Sequence, residues 1–155
     1  MPSGPLTGKA AQSPFGEVLV CGCRQEDVAV LEEVFGRDGP AIRPVDEPAE
    51  MARQVVLRLP LAVFLGLRKR DRARLQIIPV LRAAWRELPV MVVADEASLE
   101  LERRVRQEGI FYYFVHPLGS AEVQAVLKDL LRRAAREIAP RPVAGEDVRK
   151  KRSEP

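Results

Sequence analysis

The sequence predicts an α/β domain in which five parallel strands form one sheet with helices on both faces. Three observations lead to this prediction. Short, almost wholly apolar runs alternate five times with stretches of helical periodicity. The apolar runs lack the polar alternation of half-exposed strands, which indicates burial on both faces. A chain of 155 residues with 46% apolar and 30% charged residues can bury such a sheet within one domain.

The first two strand-helix units begin the predicted domain. Residues 17–23 form an apolar strand, and residues 26–36 have helical periodicity and end in a glycine typical of a helix C-cap. The second strand, residues 41–46, is expected at a sheet edge because Pro44 cannot donate a ladder hydrogen bond. The next helix should begin at Pro48. Its predicted buried residues are Met51, Val55, Val56 and Leu59.

Three further units follow in the same order. The helix predicted at residues 74–88 contains Pro79, which should kink the helix or mark its true start. Ser98 is expected to cap the helix before the fifth strand, and Ser120 is expected to cap the last helix. The predicted third, fourth and fifth strands are residues 61–67, 89–95 and 110–115.

The two ends of the chain differ in composition from its centre. Residues 1–15 and 139–155 are rich in Pro, Gly and polar residues, so a flexible arm and a flexible basic tail are expected around a domain at residues 16–138. The sequence has neither a long apolar span nor the apolar centre of a signal peptide, which predicts a cytoplasmic protein without membrane contact. Cys21 and Cys23 should be reduced, because a bridge between residues two apart in a strand is geometrically poor.

The segment around the fifth strand carries the most specific motif. A glycine is followed, after a short link, by an aromatic residue, two apolar residues, a polar residue and a proline: Gly109, Tyr113, Phe114, Val115, His116 and Pro117. With the five strand-helix units, this motif makes residues 17–136 resemble a response-regulator receiver domain, the CheY-like module that accepts a phosphoryl group from a histidine kinase.

The resemblance carries several structural expectations. It implies a flavodoxin-like, doubly wound sheet with strand order 2-1-3-4-5. It also implies a cis His116–Pro117 peptide bond, which is an option for proline at a cost of about 1 kcal/mol. Tyr113 matches the aromatic residue that changes rotamer on activation in receivers, although here it is expected to pack or to contact a partner.

The positions where receivers carry their chemistry are changed in this chain. The phosphoacceptor aspartate corresponds to Gly66, which has no side chain to form an acyl phosphate. The acidic pair that holds magnesium corresponds to Gly22 and Cys23, which supply no carboxylate. The hydroxyl residue of the fourth strand is Ala94, and the lysine is His116. The chain thus resembles a degenerate pseudo-receiver, expected to be no enzyme and to hold no cofactor or metal.

His116, the one histidine of the chain, allows three interpretations. It can be a strand-end polar residue that bonds to backbone or water. It can contact Asp95 at the end of the neighbouring strand and titrate in the physiological range. It can also join Cys23 as a metal ligand or as a nucleophile-base pair, although two ligands fall short of the usual three or four.

Two functions from different classes fit these patterns. The resemblance implies a signalling module that binds a protein partner, or a second copy, through the face of the fourth helix, fifth strand and fifth helix. The predicted contact residues are Leu99, Arg103, Phe111, Tyr112, Tyr113 and Glu122. The alternative is a small domain that binds a nucleotide or another ligand, since Gly22, Gly66 and Ala94 would leave a cavity at the strand ends; a G-x-G-x-x-G motif is absent.

Basic residues are concentrated in two segments. Residues 68–74 hold five cations around one acid, and residues 149–152 are all basic. The first segment is either a solvated loop or a docking patch for an acidic protein or a nucleic-acid backbone. Sequence-specific nucleic-acid binding is not expected, because the net charge is only +3, aromatic residues make up 5% and no helix-turn-helix pattern is present.

Overall fold

The computed structural model of the protein describes residues 16–68 and 72–138, which form one sheet covered by helices. The strands are β1 (Glu17–Cys21), β2 (Ala41–Val45), β3 (Ala62–Leu67), β4 (Val90–Ala94) and β5 (Tyr112–Val115). The helices are α1 (Gln25–Phe35), α2 (Pro48–Leu57), α3 (Arg72–Leu75), α4 (Ile77–Ala84), α5 (Leu99–Gln107) and α6 (Ser120–Ile138). The strands are parallel and lie in the order β2-β1-β3-β4-β5, which confirms the predicted fold.

The sheet separates two hydrophobic cores, because successive side chains of a strand point to opposite faces. One core lies under α2, α4 and α5, where Met51, Ile78 and Val105 are fully buried. The other lies under α1 and α6, where Leu31 and Leu130 are almost completely buried. Burial of each such side chain contributes about 1.5–3 kcal/mol, so helices on both faces stabilise the buried strands.

The predicted buried face of α2 is wrong at two positions. Met51 and Val55, four residues apart, face the sheet as expected. Val56 is 67% exposed because the next residue along a helix points about 100° away from the face that Val55 shares with Met51. Leu59 is also exposed, since it follows the last helical residue, Leu57.

The predicted helix ends at Ser98 and Gly36 are confirmed, but the helix predicted at residues 74–88 is wrong, because α3 ends at Leu75 and α4 ends at Ala84. The Ser98 Oγ accepts a hydrogen bond from the amide of Leu101 at 3.2 Å and caps α5. Pro79 is the third residue of α4, where its missing amide hydrogen leaves no helical bond unmade. Ser120 is already the first residue of α6 and not the residue before it. Gly36 ends α1 with φ of 65°, a left-handed conformation that glycine adopts without strain.

Several predictions fall outside the described residues. These are the N-terminal arm at 1–15, the C-terminal tail at 139–155 with its basic residues, and residues 69–71 of the basic segment. In the part of the chain that the structure covers, no helix is both long enough and apolar enough to cross a membrane.

Candidate functional site

The strand ends bring the predicted site residues together at one edge of the sheet. The loop after β1 carries Gly22 and Cys23, and these residues lie beside Ala94 and His116 at the ends of β4 and β5. The His116 amide donates to the Ala94 carbonyl at 2.8 Å, which holds the end of β5 against β4. The His116–Pro117 peptide bond is cis, as predicted.

Gly66 in β3 is covered by the backbone of the loop after β1. A Cβ atom at Gly66 would overlap the carbonyl oxygen of Gly22 and lie 2.8 Å from the amide nitrogen of Cys23. Backbone atoms cannot move aside as the end of a flexible side chain can. The space that an aspartate side chain would need at this position is therefore filled by the main chain itself.

Gly22 is in turn covered by a cation. Its φ is +78°, and a Cβ atom there would lie 2.7 Å from Nη1 of Arg74. Gly22 is therefore needed both for the backbone conformation and for the close approach of the guanidinium group. Arg74, which belongs to the basic segment at residues 68–74, thus lies against Gly22, one of the two positions that the resemblance matches to the acidic pair of receivers.

His116 contacts Asp27, so of its three interpretations the contact with Asp95 is wrong. The Nδ1 atom of His116 lies 2.7 Å from Oδ2 of Asp27, and the other carboxylate oxygen accepts from the Leu118 amide at 3.0 Å. Asp27 is 1% exposed, whereas the His116 side chain is 23% exposed. A buried carboxylate needs such partners, because an unpaired buried charge is strongly destabilising.

Asp27 is the site residue that sequence reasoning missed. It lies in the first turn of α1, where an acidic residue normally interacts favourably with the helix N-terminus and faces water. Its spacing of four residues from Leu31, which is fully buried, was the signal that places it on the inward face of α1.

Asp95 pairs with Arg24 from the loop before α1. The Nε atom of Arg24 lies 2.6 Å from Oδ1 of Asp95, and this hydrogen bond, together with the guanidinium charge, lowers the pKa of Asp95. The same bond raises the pKa of Arg24. The loop after β1 is thus joined to the end of β4 by the Arg24–Asp95 ion pair, and the first turn of α1 is joined to the end of β5 through Asp27.

Cys23 is poorly suited to act as a nucleophile or a metal ligand. Burial, followed by the negative charge of Asp27, raises the pKa of its thiol to about 12, so that the reactive thiolate is scarce at neutral pH. Within residues 16–68 and 72–138, no group of three or more His, Cys, Asp or Glu side chains could hold a metal ion. These findings give no support to a Cys23–His116 site.

The expected strand-end cavity is almost absent. The space enclosed by Gly22, Cys23, Ala94 and His116 and their neighbours has a volume of about 10 Å³, which is close to the minimum for one water molecule. The prediction that small residues leave a ligand cavity here is wrong, because backbone and paired side chains fill the space.

The predicted partner surface corresponds to α5, β5 and α6. Leu99 is 63% exposed and Arg103 is exposed on α5. The Tyr112 hydroxyl donates to Oε2 of Glu122 at 2.7 Å, which raises the pKa of Tyr112. Phe111 is half-buried, and a guanidinium from α6 lies 5.7 Å from its ring centre. The two aromatic residues thus join β5 to α6 and expose only part of their surface.

Tyr113 is a core residue, so its predicted place on the partner surface is wrong. It is 6% exposed and packs in the core under α5, because β5 alternates its side chains between the two faces. Burial raises the pKa of its hydroxyl. Among the described residues, no hydrogen-bond partner lies within reach of that hydroxyl.

Solved structures of receiver proteins share this fold at low sequence identity. NtrX from Brucella abortus matches with a TM-score of 0.65 and 17% identity over 79% of this chain, which spans only 28% of the length of NtrX. The signal receiver domain of a LuxO repressor protein from Vibrio parahaemolyticus matches with a TM-score of 0.65 and 16% identity, over 78% of this chain and 93% of that domain.

A CheY-like protein, TadZ from Pseudomonas aeruginosa, matches with a TM-score of 0.63 and 14% identity, over 74% of this chain and 99% of that protein. No protein-family model and no curated protein matches the sequence. The similarities establish a CheY-like fold.

Proposed function

We propose that this chain is a receiver-like signalling module that binds another protein and does not accept a phosphoryl group. The packing of the Gly22 and Cys23 backbone onto Gly66 is the observation that supports the proposal most, because the resemblance matches Gly66 to the phosphoacceptor and the backbone leaves no room for a side chain there. The fold shared with receiver domains supports a role in signalling. The module would be no enzyme, would need no cofactor, and would act in the cytoplasm.

The loss of phosphoryl transfer has a chemical basis. Acyl phosphate formation requires a carboxylate nucleophile, and a divalent cation on the phosphoryl group requires hard oxygen ligands. The two carboxylates that line the strand-end space, Asp27 and Asp95, are already paired with His116 and Arg24. A phosphoryl group would have to break these contacts as well as move the backbone over Gly66.

Incubation with acetyl phosphate and Mg²⁺, followed by intact-protein mass spectrometry, tests this half of the proposal. We expect no adduct and no change in amide NMR shifts on addition of beryllofluoride with Mg²⁺. A stoichiometric phosphate adduct would overturn it. A receiver domain that is known to accept phosphate, treated in parallel, shows that the reagents are active.

The partner surface is proposed on α5, β5 and α6. Leu99 is an exposed apolar residue on α5, with Arg103 one turn away, and the bonded pair of Tyr112 and Glu122 fixes the geometry between β5 and α6. Tyr and Arg side chains are enriched at contact centres. The occupant would be a signalling protein, and a second copy of this chain would use the same face.

Quantitative affinity capture with matched variants tests the surface. Leu99→Glu should reduce the amount of specifically captured partner by about tenfold or more, because the substitution places a charge at the contact centre. Leu57→Glu is the control, since Leu57 is similarly exposed, at 73%, but lies on α2. The proposed surface would be contradicted if both variants lost the captured partner equally, or if neither variant lost it. Sedimentation of the purified variants shows whether the partner is a second copy of this chain or another protein.

A further inference from the structure

A second space lies beside the filled strand-end site. It has a volume of about 320 Å³ and lies between the end of β3, the loop after β4 and the first turns of α5. Pockets that bind small molecules begin at about 300 Å³. This cavity is therefore large enough for a small organic ligand, unlike the space beside Gly22.

Three leucines supply the apolar part of the cavity. Leu67 ends β3, Leu75 lies in α3 and Leu101 lies in α5, so the wall joins three separate elements. Leu67 and Leu75 are buried core residues, and Leu101 packs against the same core. Their positions are therefore fixed by packing, which gives the cavity a preformed apolar surface.

Two arginines supply the cationic part of the cavity. Arg68 follows β3 and Arg104 lies on α5, and both line the space. Across residues 16–68 and 72–138, neither guanidinium has a hydrogen bond or a salt bridge with a carboxylate. Arg68 influences Asp95 only through its charge, which contributes to the lowered pKa of that carboxyl group.

Three acidic residues, Asp95, Glu96 and Glu100, also line the cavity, and two of them already have partners. Asp95 is held by Arg24 at 2.6 Å, and Glu96 already interacts with another group. Glu100 is exposed in the first turn of α5, where the helix N-terminus stabilises a negative charge. The Ser98 hydroxyl accepts from the Leu101 amide and remains able to donate.

We infer that this cavity binds a small organic anion. Its carboxylate or phosphate group would bond to Arg68 and Arg104, and its apolar body would lie on Leu67, Leu75 and Leu101. Guanidinium groups form strong, charge-assisted bonds with both kinds of anion. The inference goes beyond the proposed function, because it needs no protein partner, and it would place the ligand on the helix that carries Leu99.

Methyl NMR titration of the full chain tests the inference with defined probes. N-acetyl-L-phenylalanine supplies a carboxylate, phenyl phosphate supplies a phosphate, and N-acetyl-L-phenylalanine amide is the uncharged control. We expect saturable shifts of the Leu67, Leu75 and Leu101 methyl groups, with a Kd on the order of 1 mM for at least one anion. The methyl groups of Leu31 and Leu130, in the other core, should not move.

Two arginine variants separate the cavity from general electrostatic attraction. Arg104→Gln should weaken anion binding by about fivefold to tenfold through loss of a charge-assisted bond. Arg106→Gln should leave it unchanged, because Arg106 pairs with Glu102 and does not line the cavity. The inference is overturned if neither anion gives saturable methyl shifts by about 10 mM, or if the uncharged amide binds as tightly as the anions. It is also overturned if the two arginine variants bind the anion with the same Kd. The same spectra show that each variant is folded.

Discussion

Asp27 is a single side chain that holds two separate groups at the strand-end site. One of its oxygens contacts Nδ1 of His116 and the other accepts from the Leu118 amide. Loss of the carboxylate leaves a buried amide hydrogen without a partner and an imidazole without its contact, and each unmade buried bond costs about 1–3 kcal/mol. The residue therefore stabilises the fold from within the site.

Substitution of Asp27 should measure this contribution. Asp27→Ala should lower the free energy of unfolding by about 2–4 kcal/mol, and Asp27→Asn should lower it less because its amide oxygen can still accept from Leu118. Urea denaturation followed by circular dichroism measures both. Glu33→Ala, on the exposed side of the same helix, should stay within about 0.5 kcal/mol. Equal effects of the two alanine variants would contradict the role of Asp27.

The raised pKa of the Cys23 thiol predicts that the chain loses stability in alkaline solution. Its thiol pKa is about 12 in the folded chain and 9.0 in an unperturbed thiol, so the unfolded state loses the proton first as the pH rises. The protonated thiol makes its full contribution to the free energy of unfolding below pH 9, and this contribution is lost between pH 9 and pH 12. The loss from pH 9 to pH 10 is roughly 1 kcal/mol.

Tyr112 and Tyr113 should also lower the stability of the fold as the pH rises, because their pKa values are raised as well. The comparison of the parent chain with Cys23→Ala isolates the thiol: the variant should lose stability less steeply above pH 9 in denaturant titrations at several pH values. If the free energy of unfolding fell equally steeply with pH in both chains, the thiol pKa would not be raised in the folded state.

At the scale of elements, the loop after β1 packs on β3, and this packing requires glycine at positions 22 and 66. Gly66→Ala should destabilise the chain by about 2 kcal/mol or more, since the added methyl group meets backbone atoms of the loop. Gly119→Ala is the matched control, because no atom lies within 4 Å of a Cβ placed there. Thermal or urea unfolding measures the difference; a small effect at Gly66 would mean that the loop can move away.

The elements also show how far the sequence predicts the structure. Strand-helix alternation was sufficient to predict a parallel sheet, because this depends on local periodicity and on short connections, whereas the strand order came from the resemblance to receivers. The burial of Asp27 and the covering of Gly66 depend on contacts between segments distant in the chain. Glycine in a strand indicates close approach in general, but it does not identify the atoms that approach.

At the scale of the whole molecule, the two cores define the folding unit. Their buried members lie between Val18 and Leu130, inside the domain predicted at residues 16–138. A chain of residues 16–138 should therefore unfold in one cooperative transition with a Tm close to that of the full chain. Calorimetry of both chains tests this; a drop of about 5 °C or more would mean that the ends contribute roughly 1 kcal/mol.

The contact between Gly22 and Gly66 also limits the routes by which this sequence can change. A carboxylate at position 66 would fit only after the loop has moved. The Arg24–Asp95 pair holds this loop, and the Asp27–His116 pair holds the helix that follows it. Each intermediate variant would be less stable before any new chemistry appeared. A carboxylate at position 66 would thus need several coordinated substitutions, because the loop backbone must move before the side chain fits.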